Sequence, residues 1–205
     1  QETRIINLLE SELCKYPADL LSELKTIYIA GELNFKGIEV AGLGTSTDIW
    51  IVAKYVSEHI HPESLSSYSD KDIKQTIHHE IHHFLYFNYG EHFDFVKWES
   101  ALPLDYAYPF SNGYDAIKSK TLKSKLTKDE YKMGFLTPYG KSVLEEDTAT
   151  FAQFMFEPTK EFLTQIEIHP KLQEKVNIMI DFYLKLHPDF TTDYFESIWS
   201  AKRGK

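Results

Sequence analysis

Residues 69–90 constrain this chain more than any other segment. Ile73, Ile77, Ile81, Phe84 and Leu85 recur three and four positions apart, the spacing of one face of an α-helix. Ser69 or Asp70 can cap the start by accepting a hydrogen bond from a free backbone N–H, and Gly90 closes the end. Four of the nine histidines fall inside this helix within six residues: His78, His79, His82 and His83. An apolar stripe with histidines beside it predicts a packing face and a site for chemistry on one element.

The flanking segments supply the rest of the architecture. Ile5, Ile6, Leu9 and Leu13 take helical spacing over residues 3–15, and Pro17 separates them from a short helical turn over 18–24. From Thr26 the chain becomes β-branched and aromatic, and residues 27–30, 38–40 and 49–52 predict about three short, partly antiparallel strands. Residues 42–47, with two glycines, predict a turn or loop, and the polar stretch 57–68 with Pro62 predicts another. Residues 91–135 read as mostly irregular. Ser142 and Glu145 have the spacing of a capping box, opening an apolar helix that runs to Phe156 ahead of Pro158. Two further helices are expected over 170–186 and 192–201.

No repeat, low-complexity stretch or Gly/Ser/Pro-rich linker divides the 205 residues, so one α+β domain is expected. Within it, residues 1–90 form a small mixed or partly antiparallel sheet packed on the histidine-bearing helix, and residues 91–205 form a mainly helical part. Hydrophobic residues at 42% and charged residues at 26% suffice for a core. The 15% aromatic content is expected chiefly to pad it. A balance of 22 basic against 31 acidic residues, net −9, argues against nucleic acid as the main partner. No apolar run approaches the ~18 residues of a membrane span. Cys14, the single cysteine, excludes an internal disulfide and a Cys-rich zinc finger. The chain shows no signal-peptide pattern and begins at Gln1 rather than Met. A removed signal or lipoprotein leader accounts for that start, as does a cloning boundary, and a secreted or cell-envelope location is the expectation.

The chemistry lies in His79-Glu80-x-x-His83. Residues four apart share a helix face, so both imidazoles can address one zinc ion. Glu80, one position round the helix, can reach a water in an open coordination position and accept its proton. His78 and His82 fall off the ligand face and are expected at the surface or as outer hydrogen-bond partners. A third ligand is needed. Positions 86 and 89 hold Tyr86 and Tyr89, so a Gly and a third His at the metzincin spacing are missing. His92 and Asp94 lack a suitable pattern. Glu145 and Glu146, at the start of the later helix, compete for the role. Glu146 is preferred, because Glu145 can close the capping box with Ser142, and Ala149 one turn on lets the helices approach.

The combination of HExxH with Gly134-Phe135-x-x-x-Tyr139-Gly140, Ser142 and Glu146-Asp147-x-Ala149 resembles zinc-binding metallopeptidases of the gluzincin type, often made as lipoproteins. It is similar, more distantly, to the catalytic domains of anthrax lethal factor and the Pro-Pro endopeptidases. The resemblance covers roughly residues 20 to 190, carried by about 30 positions. It implies a zincin-like fold and one zinc ion held by His79, His83 and Glu146. It further implies Glu80 as general base and Tyr139 as the phenol that polarises the carbonyl or steadies the oxyanion. The chain departs from the family at His82, where a small residue is usual, and at Thr150, where an acidic residue could orient a ligand histidine. Asp147 is the expected substitute for that task. Pro138 is an addition beside Tyr139.

An extended peptide added to the sheet edge, at 49–53 or 42–47, is the expected substrate mode. The aromatic stretches 92–98 and 106–110 either shape a side-chain pocket or pack. The competing reading is a zincin-fold binding module that recognises a protein or glycan without cutting it.

Overall fold

The computed structural model describes residues 2–53, 69–119 and 123–204. The chain opens with helix α1 (Glu2–Leu13), which buries Ile5 and leans Leu8, Leu9 and Leu13 on the core. Strands β1 (Thr26–Ala30), β2 (Asn34–Phe35), β3 (Ile38–Glu39), β4 (Gly42–Gly44) and β5 (Asp48–Val52) follow. Their order in the main sheet is β1-β5-β4, with β1 parallel and β4 antiparallel to β5. Alternation in β5 buries Ile49 and Ile51 on the core side. The small β2–β3 hairpin turns on Lys36 and Gly37, both at positive φ, the two-residue geometry that matches strand twist.

The five described strands thus form a three-stranded sheet and a separate two-stranded hairpin, and two expectations change. Residues 42–44, read as loop, form an edge strand, because they pair with β5 from Gly42↔Ile51 to Gly44↔Ile49. Strand β5 is central, so the edge on that side belongs to β4. The loop expected over 57–68 lies outside the described residues.

Helix α2 (Asp70–Tyr89) is the long histidine helix, continued by a 3₁₀ turn over Gly90–His92. Ser69 is its cap. The Ser69 hydroxyl accepts from the Asp72 N–H, and the Asp72 carboxylate accepts from the Ser69 N–H, a reciprocal capping box. All five residues of the apolar stripe are buried. The region expected to be irregular carries short helices α3 (Phe95–Ser100), α4 (Gly113–Lys118) and α5 (Lys128–Tyr131). Local caps account for the first two: Asp94 accepts from the Lys97 N–H, and Asn112 from the Asp115 N–H.

Helix α6 (Leu144–Phe156) packs directly on α2. Helix α7 (Lys160–Ile168), capped by Thr159, was not legible as a separate element. Helices α8 (Pro170–Leu186) and α9 (Thr192–Arg203) occupy the expected positions and close the core around Phe156, Tyr183, Phe190 and Phe195. The capping box expected at Ser142 is absent. Ser142 ends a 3₁₀ turn, its buried hydroxyl has no partner among the described residues, and Val143 takes the cap position. No helix among the described residues is long and apolar enough to cross a membrane.

Candidate metal centre

His79 and His83 stand one turn apart on α2, and Glu146 stands in the first turn of α6, which packs beside it. His79 Nε2 lies 3.0 Å from Glu146 Oε2 and 3.1 Å from His83 Nε2. His83 Nε2 lies 3.6 Å from the same Glu146 oxygen. One ligand atom from each of the three falls within 4.8 Å of the others, close enough for all to reach one metal ion. Three carboxylates in the first turn of α6 (Glu145, Glu146 and Asp147) sit where the partial positive charge of a helix N-terminus favours them.

The charges are coupled. Burial pushes the Glu146 carboxyl up, but the charge of His83 and the hydrogen bonds of His79 and His83 outweigh it and hold Glu146 well below the usual carboxylate range. Burial pulls His83 down, yet the Glu146 carboxylate prevails and lifts it to about 9. Glu80 is raised, burial outweighing the charges of His79 and His83. Tyr139 is raised well above the ordinary phenol range by burial first, then by the charge and hydrogen bonding of Glu146, so it keeps its proton.

A cavity of about 580 Å³ opens beside the triad, with His79, Glu80, Tyr139, Thr150, Gln153 and Gly42 in its wall. The sheet edge is pressed against Glu80. A Cβ on Gly42 would fall 2.5 Å from Glu80 Oε1, and one on Gly44 would fall 2.8 Å from the His83 Cβ. Glycine at these two positions is therefore a condition for β4 to lie flat on α2. On the other side, a Cβ on Gly113 would fall 2.3 Å from Glu146 Oε1, so the start of α4 closes over the carboxylate.

Of the residues singled out from sequence, the structure brings His79, His83 and Glu146 together, and sets Glu80 and Tyr139 on the wall of the adjoining cavity. Glu145 is not in the cluster. His92 is exposed, and Asp94 is spent as the cap of α3.

The readings of His78, His82 and Asp147 need correction. His78 and His82 are fully buried, not at the surface, and neither bonds a ligand. The Tyr16 hydroxyl donates to His78 Nδ1 over 2.8 Å, and His78 Nε2 donates to Glu12 over 2.9 Å. His82 Nδ1 meets the Tyr183 hydroxyl at 3.0 Å. Asp147 does not orient a ligand histidine. It turns away to Lys175 at 2.5 Å, with both side chains fully buried, and accepts from the Tyr108 hydroxyl at 2.7 Å. The Lys175 ammonium also sits over the rings of Phe135 and Trp98, 4.1 and 4.6 Å from their centroids, so this pair anchors α6 to α8. The aromatic stretches do both things expected of them: Phe93 and Trp98 lie in the core, while Phe95, Tyr106 and Tyr108 line a second cavity, with Tyr106 donating to the Lys141 carbonyl.

One residue of the site escaped the sequence reading. Gln153 Oε1 lies 3.0 Å from His79 Nδ1. Its spacing held the signal, since seven residues beyond Glu146 is two turns along the same helix face. Comparison of the chain with protein-family models, with curated proteins and with solved structures finds no match.

Proposed function

We propose that this protein is a zinc-dependent peptidase of gluzincin type. The observation that carries the reading is the convergence of the His79, His83 and Glu146 ligand atoms beside a cavity walled by Glu80 and Tyr139. Separations of 3.0, 3.1 and 3.6 Å compare with the roughly 3.3 Å edge of a tetrahedron set by zinc's ligand distances. Two imidazoles and a carboxylate also suit zinc by ligand type. When bound, such an ion supplies Lewis acidity that brings water towards ionisation near neutral pH.

The remaining work falls to the chain. Glu80, made more basic by burial, accepts the proton of the attacking water at its carboxylate and delivers it to the leaving amine. Tyr139, holding its proton, donates a hydrogen bond to the carbonyl oxygen as negative charge develops there. An extended peptide lies along the β4 edge, which runs over Glu80.

The test is metal analysis with cleavage of a peptide library by the wild type and Glu80→Gln. Equal zinc content with turnover reduced about 10²–10⁴-fold in the variant is expected. Equal zinc with no cleavage by either protein would favour the non-catalytic binding module, and no zinc in either, or cleavage unaffected by the substitution, would end the peptidase reading.

A further inference from the structure

Among the polar side chains of the cavity wall to which the proposed chemistry assigns no task, Gln153 is the one that bonds a histidine of the triad. Gln153 rises from α6 two turns beyond Glu146, and its Oε1 lies 3.0 Å from Nδ1 of His79. The opposite ring nitrogen, Nε2, is the atom that meets Glu146 Oε2 at 3.0 Å and His83 Nε2 at 3.1 Å. One face of one helix therefore grips both ends of the His79 ring. Resting on the metal-site reading above, we propose that Gln153 is the positioning residue that fixes the orientation and tautomer of His79.

The chemistry leaves one consistent arrangement. An imidazole that offers the Nε2 lone pair to a cation carries its proton on Nδ1, and that proton needs an acceptor. Gln153 supplies its amide oxygen, and the amide N–H₂ group then belongs to the cavity side. Among the described residues Gln153 is the hydrogen-bond partner found for His79 Nδ1. Thr150, one turn closer to Glu146, is turned elsewhere: its hydroxyl lies 3.0 Å from where a Cβ on Gly140 would fall. Asp147 is committed to Lys175 and Tyr108.

The brace is a neutral amide, not a carboxylate. A carboxylate would add electron density to the ring and tighten metal binding. An amide fixes the ring with less of that donation and leaves the cation a stronger Lewis acid. Removal of the acceptor should therefore weaken metal binding, and a carboxylate at the same position should restore it.

The experiment measures zinc and cobalt(II) affinity of the full chain against a chromophoric chelator for wild type, Gln153→Met and Gln153→Glu, with thermal melting of each metal-free protein. Gln153→Met keeps the length and loses the acceptor, and about a 10–100-fold weaker affinity with an unchanged melting point is expected. Gln153→Glu should bind at least as tightly as wild type. Long-range ¹H–¹⁵N NMR of the zinc-loaded wild type should show His79 protonated at Nδ1. Equal affinity of Gln153→Met and wild type, or an Nε2–H tautomer, overturns the role of Gln153 while leaving the metal site standing. Failure of the wild type to bind either ion overturns the metal site and this inference with it. If Gln153→Met melts early, Gln153→Asn, whose shorter amide falls short of the ring, decides by the same affinity criterion.

Discussion

Two buried glutamates face histidines of the same helix, and they behave differently. On one side of α2, Glu146 meets His79 and His83 beside an open cavity. On another, Glu12 from α1 meets His78, with Lys15 and Lys74 joining it, the latter at 2.6 Å. Burial pushes Glu12 up, but hydrogen bonds from His78, Lys15 and Lys74 outweigh it and hold Glu12 well below its usual range. With lysines supplying the charge, burial keeps His78 neutral by lowering it to about 4. The charged groups that act most on Glu146 are His83 and His79, so histidines carry the compensating charge, and His83 is lifted to about 9. The difference separates a closed structural ion cluster from a site where a cation can take the place of the histidine protons.

The comparison can be broken most strongly at the metal. Glu146→Ala should strongly reduce zinc binding by removing one of the three proposed ligands, while Glu145→Ala should leave zinc content unchanged. The reverse outcome, read by metal analysis of the purified variants, would exchange their roles. Next in size, Glu12→Gln should leave zinc binding intact and lower unfolding free energy by about 2–4 kcal/mol, because it deprives two lysines of their shared partner. Denaturant titration checks this, and loss of zinc binding in a folded Glu12→Gln protein would show that the clusters are not independent.

The smallest expected effect is on pH dependence. His78 takes up a proton below about 6.5 when unfolded but only near 4 when folded, so the unfolded state binds more protons in between. Stability should therefore fall as pH drops from about 6.5 to about 4, by no more than about 3 kcal/mol from this residue. Below about 4.5 the loss of the Glu12 carboxylate adds to it, since that group's stabilisation is present above its unfolded value and lost in acid. His78→Phe should flatten the upper part of the curve. A curve of unchanged slope in that variant would assign the acid sensitivity elsewhere.

The contrast also marks what was legible. The HExxH spacing put His79 and His83 on one face, and the structure keeps them there. The same spacing could not tell that His78 and His82 are buried, because periodicity says which residues share a face and not what covers it. The choice of Glu146 over Glu145 rested in part on a capping box that does not form; it is Glu146 that the first turn of α6 presents to His79. Residues 42–44 read as loop because glycine is a poor strand former, yet only glycine allows the edge to lie against Glu80.

What the sequence determined by itself is local: the capped histidine helix, the two histidines a turn apart, the alternation in β5 and the two C-terminal helices. These follow from backbone periods that a few neighbouring residues set. The docking of α6 on α2 decided the rest. It brought Glu146 to within 3.0 Å of His79 across 67 positions of sequence, put Gln153 behind the same ring and sent Asp147 to Lys175. Side chains so far apart in sequence meet only when two packed surfaces fix the rotation of one helix on another, and no local spacing encodes that angle.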